Sequence, residues 1–257
     1  MRDFTLGKYE KLCEIVSESP YANLTFQDYV VCPQAENRCV ILRHDIDEDC
    51  SYAVDVAEVE HKHNLHATYY FRMKKRTFRP DLVRKIADLG HEVGYHYETL
   101  DRCSGDMTKA IQLFEEELAE LRSQFAVRTA CMHGNPLTKH DNKEIWRYRR
   151  LSDFGLIGEP YLSLDYTRFA YYSDSGRSWS QTQSRKTKDV VGGKPGRQPR
   201  NTDDLIRMIA DAEPENVCIL THPERWPRNM VDYGRRWLID MAYNAGKKVL
   251  HSGRNAR

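Results

Sequence analysis

The segment Cys39-Val-Ile-Leu-Arg-His-Asp-Ile-Asp47 is an apolar run that ends in two carboxylates two residues apart. In an extended chain, residues i and i+2 leave on one side, so Arg43, Asp45 and Asp47 share a face. A lone Asp after a strand more often caps a helix or turns the chain. Two on one face are different, because like charges held close raise each other's pKa unless a cation stands between them. A metal ion is the economical cation.

Three more apolar runs end on imidazole. Gly90-His-Glu-Val-Gly-Tyr-His-Tyr-Glu98 carries His96 at its tip and Glu98 two residues later, while His91 falls at the opposite end and is read as structural. Val217-Cys-Ile-Leu-Thr-His-Pro-Glu224 places His222 before a stiff proline, and Thr129-Ala-Cys-Met-His133-Gly-Asn-Pro leads into a turn. His96 is the best imidazole ligand. The titration range of His222 suits proton donation to a leaving amine, the lesser alternative being a hydrogen-bonded structural residue. His133 is open to three readings: ligand, substrate contact or turn residue.

Such groups need a frame that gathers strand ends. From Arg38 onward, short apolar runs ending in polar residues alternate with segments of helical periodicity, which predicts repeated βα units. The strand candidates are 39–45, 67–72, 92–96, 129–133, a weaker 168–172, 217–222 and 249–251; the helices are 52–64, 80–89, 107–124, 143–148, 203–212 and 233–244. Pro80 suits a first helical turn, and Gly90 and Gly246 stand where helices end. Seven strands predict a distorted (β/α) barrel, with chemistry at the carboxyl ends of the strands. One domain spans 1–257. Residues 1–37, with an amphipathic 9–17, form a helical cover over the barrel's bottom or seam, and residues 173–201 form a long loop.

That loop holds seven Lys or Arg against two Asp and reads equally as an active-site lid or a free excursion. Asp174, Arg177 and Trp179, at its start, could grip a sugar or phosphate, or form an ordinary polar loop anchored by one Trp. In the whole chain, 39 basic side chains nearly balance 38 acidic ones, which gives no reason to expect nucleic acid as a partner. No apolar run reaches membrane-spanning length and no signal core follows Met1, so a soluble cytoplasmic protein is expected. The seven cysteines are odd in number, scattered and without a Cys-x-x-Cys pair, as reduced thiols would be.

Over roughly residues 38–251 the chain resembles the polysaccharide deacetylase family, the NodB-homology group of carbohydrate esterases. Arg-His-Asp45-Ile-Asp47 resembles the first motif, which implies Asp45 as catalytic base and Asp47 as metal ligand. Gly-His-Glu-Val-Gly-Tyr-His96 resembles the approach to the second, whose first His is a ligand, and Leu-Thr-His222 the late motif that carries the catalytic acid. The family's second ligand His lies four residues after the first, where this chain has Leu100. The third ligand is then His133, which ends the strand where the family's third motif lies, or Glu98. The His-x-Glu pattern resembles a divergent branch found among surface-polysaccharide biosynthesis proteins.

The resemblance implies a metal-dependent hydrolase that removes an acyl group, N-acetyl first of all, from a sugar, sugar nucleotide or lipid-linked sugar. Asp47, His96 and His133 bind the ion, Asp45 and His222 act as base and acid, and Arg43, Glu98, Asp174, Arg177 and Trp179 contact substrate. Mixed imidazole and carboxylate donors suit Zn2+, with Co2+, Ni2+ or Mn2+ also reasonable. Two readings compete: a degenerate deacetylase-fold protein that only binds carbohydrate, and a glycosidase. The second is weak, because carboxylates two residues apart on one strand cannot flank a bond from opposite faces of a sugar.

Overall fold

A computed structural model describes residues 2–32, 38–135, 138–179, 191 and 197–254, with side chains to residue 242. Seven strands form one parallel sheet: β1 (Ala22–Leu24), β2 (Cys39–Ile46), β3 (Thr68–Phe71), β4 (Glu92–Tyr97), β5 (Ala130–Met132), β6 (Phe169–Ser173) and β7 (Asn216–Thr221). Six of them run in the order β5-β4-β3-β2-β7-β6, and β1 pairs with the first half of β2, from Ala22 opposite Cys39 to Leu24 opposite Ile41. Every residue of β2, β3, β4, β5 and β7 is buried, as expected for parallel strands covered on both faces.

Alternation along these strands creates two cores. One face of β2 sends Val40, Leu42 and Ile46 outward to join Tyr69, Phe71, Tyr95 and Ile219 in the layer beneath the helices. The other sends Cys39 and Ile41 inward, where they meet Tyr70, Cys131, Cys218 and Leu220. Outside lie α1 (Leu6–Glu18), α3 (Cys50–Lys62), α4 (Pro80–Asp88), α6 (Met107–Arg122) and α8 (Thr202–Ala210), with short α5 (Thr99–Arg102) and α7 (Pro160–Ser163) in the connections. Caps set their starts: Asp49 accepts from Ser51 N at 3.0 Å, Asp106 from Lys109 N at 3.1 Å, and Pro80 opens α4. Gly90 follows α4 at φ +91°, a conformation that favours glycine.

The sheet is strongly curled. β5 lies three strands from β2, about 14 Å away if the sheet were flat, yet His133 at the end of β5 comes within 3.5 Å of Asp47 just past β2. The outer strands β5 and β6 do not pair with each other among the described residues; residues 157 and 158 bond to the β5 edge instead. The barrel is therefore open. α2 (Phe26–Val31) blocks its amino-terminal end, with Phe26 and Tyr29 in the inner core and the backbone N–H of Gln27 donating to Glu92 at 2.9 Å.

Three expectations need correction. Residues 249–251 are helical, not a strand, and Gly246 lies inside the same helix, α9 (Met230–Arg254). A three-residue apolar run cannot be assigned by periodicity, and here Leu238, Met241, Ala245 and Val249 continue a helical spacing of three or four. The seventh strand is β1, from within the supposed helical cover. Finally, 143–148 is a 3-10 turn, Asn142–Arg147.

Gly94 marks where the interior is tightest: a Cβ there would stand 2.4 Å from the Tyr70 ring. That ring is buried and its hydroxyl donates to Thr129 at 3.2 Å. Gly94→Ala is expected to lower stability by about 1–3 kcal/mol through overpacking. An unchanged urea midpoint would mean that Tyr70 yields freely.

Candidate metal centre and acid–base site

The carboxyl ends of β2, β4, β5 and β7 converge on Asp47. His96 Nε2 lies 3.4 Å from Asp47 Oδ1, His133 Nε2 lies 3.5 Å from the same oxygen, and His222 Nε2 lies 3.7 Å from Oδ2. Asp47 Oδ1 is buried and makes no hydrogen bond among the described residues. These gaps exceed hydrogen-bond length. The two gaps to Oδ1 are close to the edge of a tetrahedron with metal–donor bonds of 2.0–2.1 Å, about 3.4 Å, and the gap to His222 is longer.

Each imidazole is held in place from behind. His96 Nδ1 lies 3.0 Å from the carbonyl oxygen of Cys131, to which it donates, and this turns Nε2 toward Asp47. The His133 ring is pushed down to about 4, chiefly by burial and against the pull of Asp47, and is neutral near pH 7. Its backbone is held from both sides: its N–H donates to Tyr97 O at 2.8 Å and its carbonyl accepts from Asn142 Nδ2 at 2.9 Å. Two imidazole nitrogens facing a buried carboxylate oxygen that makes no hydrogen bond among the described residues are a donor set that fits a divalent cation.

Asp45 is held differently. Arg43 Nε and Nη2 donate to its two oxygens at 3.0 and 2.7 Å, and the pair is buried, with Arg43 1% exposed. Burial pushes the Asp45 carboxyl up, but Arg43 and nearby His96 more than offset this and hold it below its ordinary value. It is ionised at neutral pH.

His222 belongs to a second assembly. Its Nδ1 lies 2.6 Å from Asp174 Oδ1, while Asp174 Oδ2 accepts from His222 N at 3.0 Å and Trp226 Nε1 at 2.8 Å. Arg225 Nη1 donates to Asp174 Oδ1 at 2.8 Å. Burial works against the charge on Asp174, yet Arg225 and His222 hold it down at about 2. For His222, burial and Arg225 push the ring down; Asp174 and Asp47 outweigh them and raise it to about 9. The imidazole is protonated at neutral pH, with Nε2 facing the centre. Glu224, whose buried Oε2 makes no hydrogen bond among the described residues, is pushed up to about 8, mainly by burial.

Several residues expected at the substrate have other work. Arg43 positions Asp45. Glu98 is bound by Arg72 Nη2 at 2.6 Å and Lys74 Nζ at 2.5 Å, and its Oε2 lies 3.5 Å from His133 Nδ1, so it stands behind the centre. Asp174 orients His222. Arg177 Nε bonds Asp240 of α9 at 2.5 Å. Trp179 is 1% exposed, stacks on Phe4 at 5.9 Å and donates to Thr202 at 3.0 Å, which makes it a core residue. Of the expected loop 173–201, residues 180–190 and 192–196 lie outside the described residues.

Neighbours with no signature in the sequence are Arg72, Arg225, Trp226 and Cys131. The last forms, with Asp45 and His96, the one group of three possible ligand atoms found within 4.8 Å of one another among the described residues; Asp47, His96 and His133 are not such a group. Here the cation already present is Arg43, whose Nη2 lies 2.7 Å from Cys131 Sγ and 2.7 Å from Asp45 Oδ2. A metal ion there would meet the guanidinium head-on. His44 and His91 lie in the outer layer: His44 Nε2 is 2.7 Å from Glu60 Oε1, and His91 Nε2 is 3.2 Å from Ala57 O. No described helix is long and apolar enough to cross a membrane.

No family model matches the chain, and no curated protein matches it. Among solved structures it is similar to a mutant of a CE4-family pseudoenzyme, described as having restored enzymatic activity. The two are 17% identical over 76% of this chain and 70% of the other, with a TM-score of 0.36. At that score the likeness is remote, and the chemistry rests on this chain's own side chains.

Proposed function

We propose that the chain is a metal-dependent hydrolase that removes an acyl group, N-acetyl in the first instance, from a sugar-containing substrate. The observation that carries the reading is the Asp47 carboxylate, with a buried oxygen that lacks a hydrogen bond and faces the Nε2 atoms of His96 and His133. Asp47, His96 and His133 are the ligands. They would hold a divalent ion, Zn2+ being favoured by this donor set ahead of Co2+, Ni2+ or Mn2+, which when bound would supply Lewis acidity to a water and to the acyl oxygen.

The acid and base are already in complementary states. Asp45, ionised and fixed by Arg43, takes the proton of the attacking water. His222, protonated and fixed by Asp174, gives a proton to the departing nitrogen, so that the amine leaves neutral. Neither group needs to exchange protons with solvent before the first turnover.

The test is metal content and acetate release on the same preparations. His133→Ala is expected to lose the ion and its activity, whereas Cys131→Ala keeps both. Metal retained in His133→Ala but lost in Cys131→Ala would move the centre to the Asp45, His96 and Cys131 group. The binding-only reading draws support from Leu100, a buried core residue where the family it resembles has its second ligand. Stoichiometric metal without acetate release from any N-acetyl sugar would favour it.

A further inference from the structure

The loop from Arg72 to Arg79, directly after β3, carries five cations in eight residues: Arg72, Lys74, Lys75, Arg76 and Arg79. It lies along the loop that carries Asp47. Arg72 Nη1 donates to the Asp47 carbonyl at 2.9 Å, the Cys50 N–H donates to Arg76 O at 3.1 Å, and Arg76 Nη2 bonds Asp49 at 3.1 Å. Lys74 reaches Glu98, which in turn lies 3.5 Å from His133. This basic rim therefore begins one side chain away from the proposed ligands.

Its charge exceeds what the fold needs. Four carboxylates face the five cations: Glu98 takes Arg72 and Lys74, Asp47 lies 3.9 Å from Arg72, Asp49 takes Arg76, and Asp81 takes Arg79 at 3.3 Å. One positive charge remains in excess. Lys75 is exposed and forms no ion pair among the described residues, and Arg76 is 68% exposed. Ion pairs this exposed are worth little and exchange readily for a better anion. The chain as a whole is at +1, so this concentration is local. Lys and Arg together suit phosphate, the Arg fork adding directionality to the charge.

We infer that the substrate is an N-acyl sugar carrying phosphate, its anionic end held by Lys75 and Arg76 while its acyl group lies at Asp47. This rests on the hydrolase reading for the reaction, but the anion site can be tested without turnover. Acetate release would be measured from N-acetylglucosamine, its 1-phosphate and its uridine diphosphate ester, with the wild type and Lys75→Gln/Arg76→Gln. The phosphorylated sugars are expected to show a KM at least ~10-fold below that of the neutral sugar. The double substitution should raise that KM by about 5–10-fold with kcat unchanged, leave the neutral sugar unaffected, and lose its effect as salt is raised. Preference for the 1-phosphate or for the diphosphate ester identifies which phosphate is read.

Uridine diphosphate binding by titration calorimetry separates the two readings. Binding that the double substitution abolishes, with no acetate from any sugar, keeps the anion site and removes the hydrolase. Equal KM values for neutral and charged sugars, or no uridine diphosphate binding by wild type, overturn the anion site, whether or not acetate is released.

Discussion

Asp45→Asn is expected to bind metal as the wild type does and to lose turnover by roughly 10²–10⁴-fold, the range associated with removing a general base. The amide has nearly the shape of the carboxylate but cannot take a proton from water. It also disturbs Arg43. The amide nitrogen points N–H at N–H where the guanidinium now makes two bonds, at 3.0 and 2.7 Å, and a buried cation is left without its counter-charge. Breaking such a pair typically costs about 3–5 kcal/mol, so the variant should also melt earlier. Arg43→Met/Asp45→Asn separates the effects: removing both charges should restore most of the stability and none of the activity. If Asp45→Asn hydrolyses N-acetyl sugar at near wild-type rate with metal bound, Asp45 is no base. If the double variant regains turnover, the single variant was merely unstable.

The pairing of Arg43 with Asp45 is legible in outline in the sequence, because strand alternation puts i and i+2 on one face. The same rule places His96 and His222 at strand tips and sends His44 and His91 away from the centre. What alternation cannot supply is contact between distant segments. Asp174 reads locally as a polar loop residue; only the pairing of β6 with β7 brings it beside His222, 48 positions later. Glu98 has ligand chemistry in the sequence, but Arg72 and Lys74, from the loop after β3, engage both its oxygens. Trp179 sits in a polar stretch, and its burial follows from meeting Phe4 and Trp226, which come from far away along the chain. β1 escapes a sequence reading for a related reason: three half-buried residues become a strand only because the first half of β2 offers an open edge.

Asp174→Asn tests the acid through its positioning residue. In the wild type, His222 is held at about 9, so the protonated, proton-donating form persists through neutral pH and is lost only as pH rises past that value. Removing the Asp174 charge leaves burial and Arg225, which push the ring down, opposed only by Asp47, the smallest of the upward causes. The alkaline limb of activity should therefore move to lower pH, to about 6.5 if the ring returns to its ordinary value and lower still if Arg225 prevails. At pH 8 a ring at about 9 is roughly 90% protonated and one at about 6.5 roughly 3%, a fall of about 30-fold in the active form. Amide substrates should feel that fall in full, because an amine leaves poorly without a proton. An activated aryl ester should feel little of it, since its leaving oxygen needs no acid. Metal content should not change, because Asp174 contacts His222, Arg225 and Trp226 and none of the proposed ligands. Stability will also drop, as Arg225 loses its shortest ion pair, so profiles must be taken below the melting range. An alkaline limb that stays near 9 in Asp174→Asn, or an ester rate that falls in parallel with the amide rate, would mean that His222 does not supply the leaving-group proton.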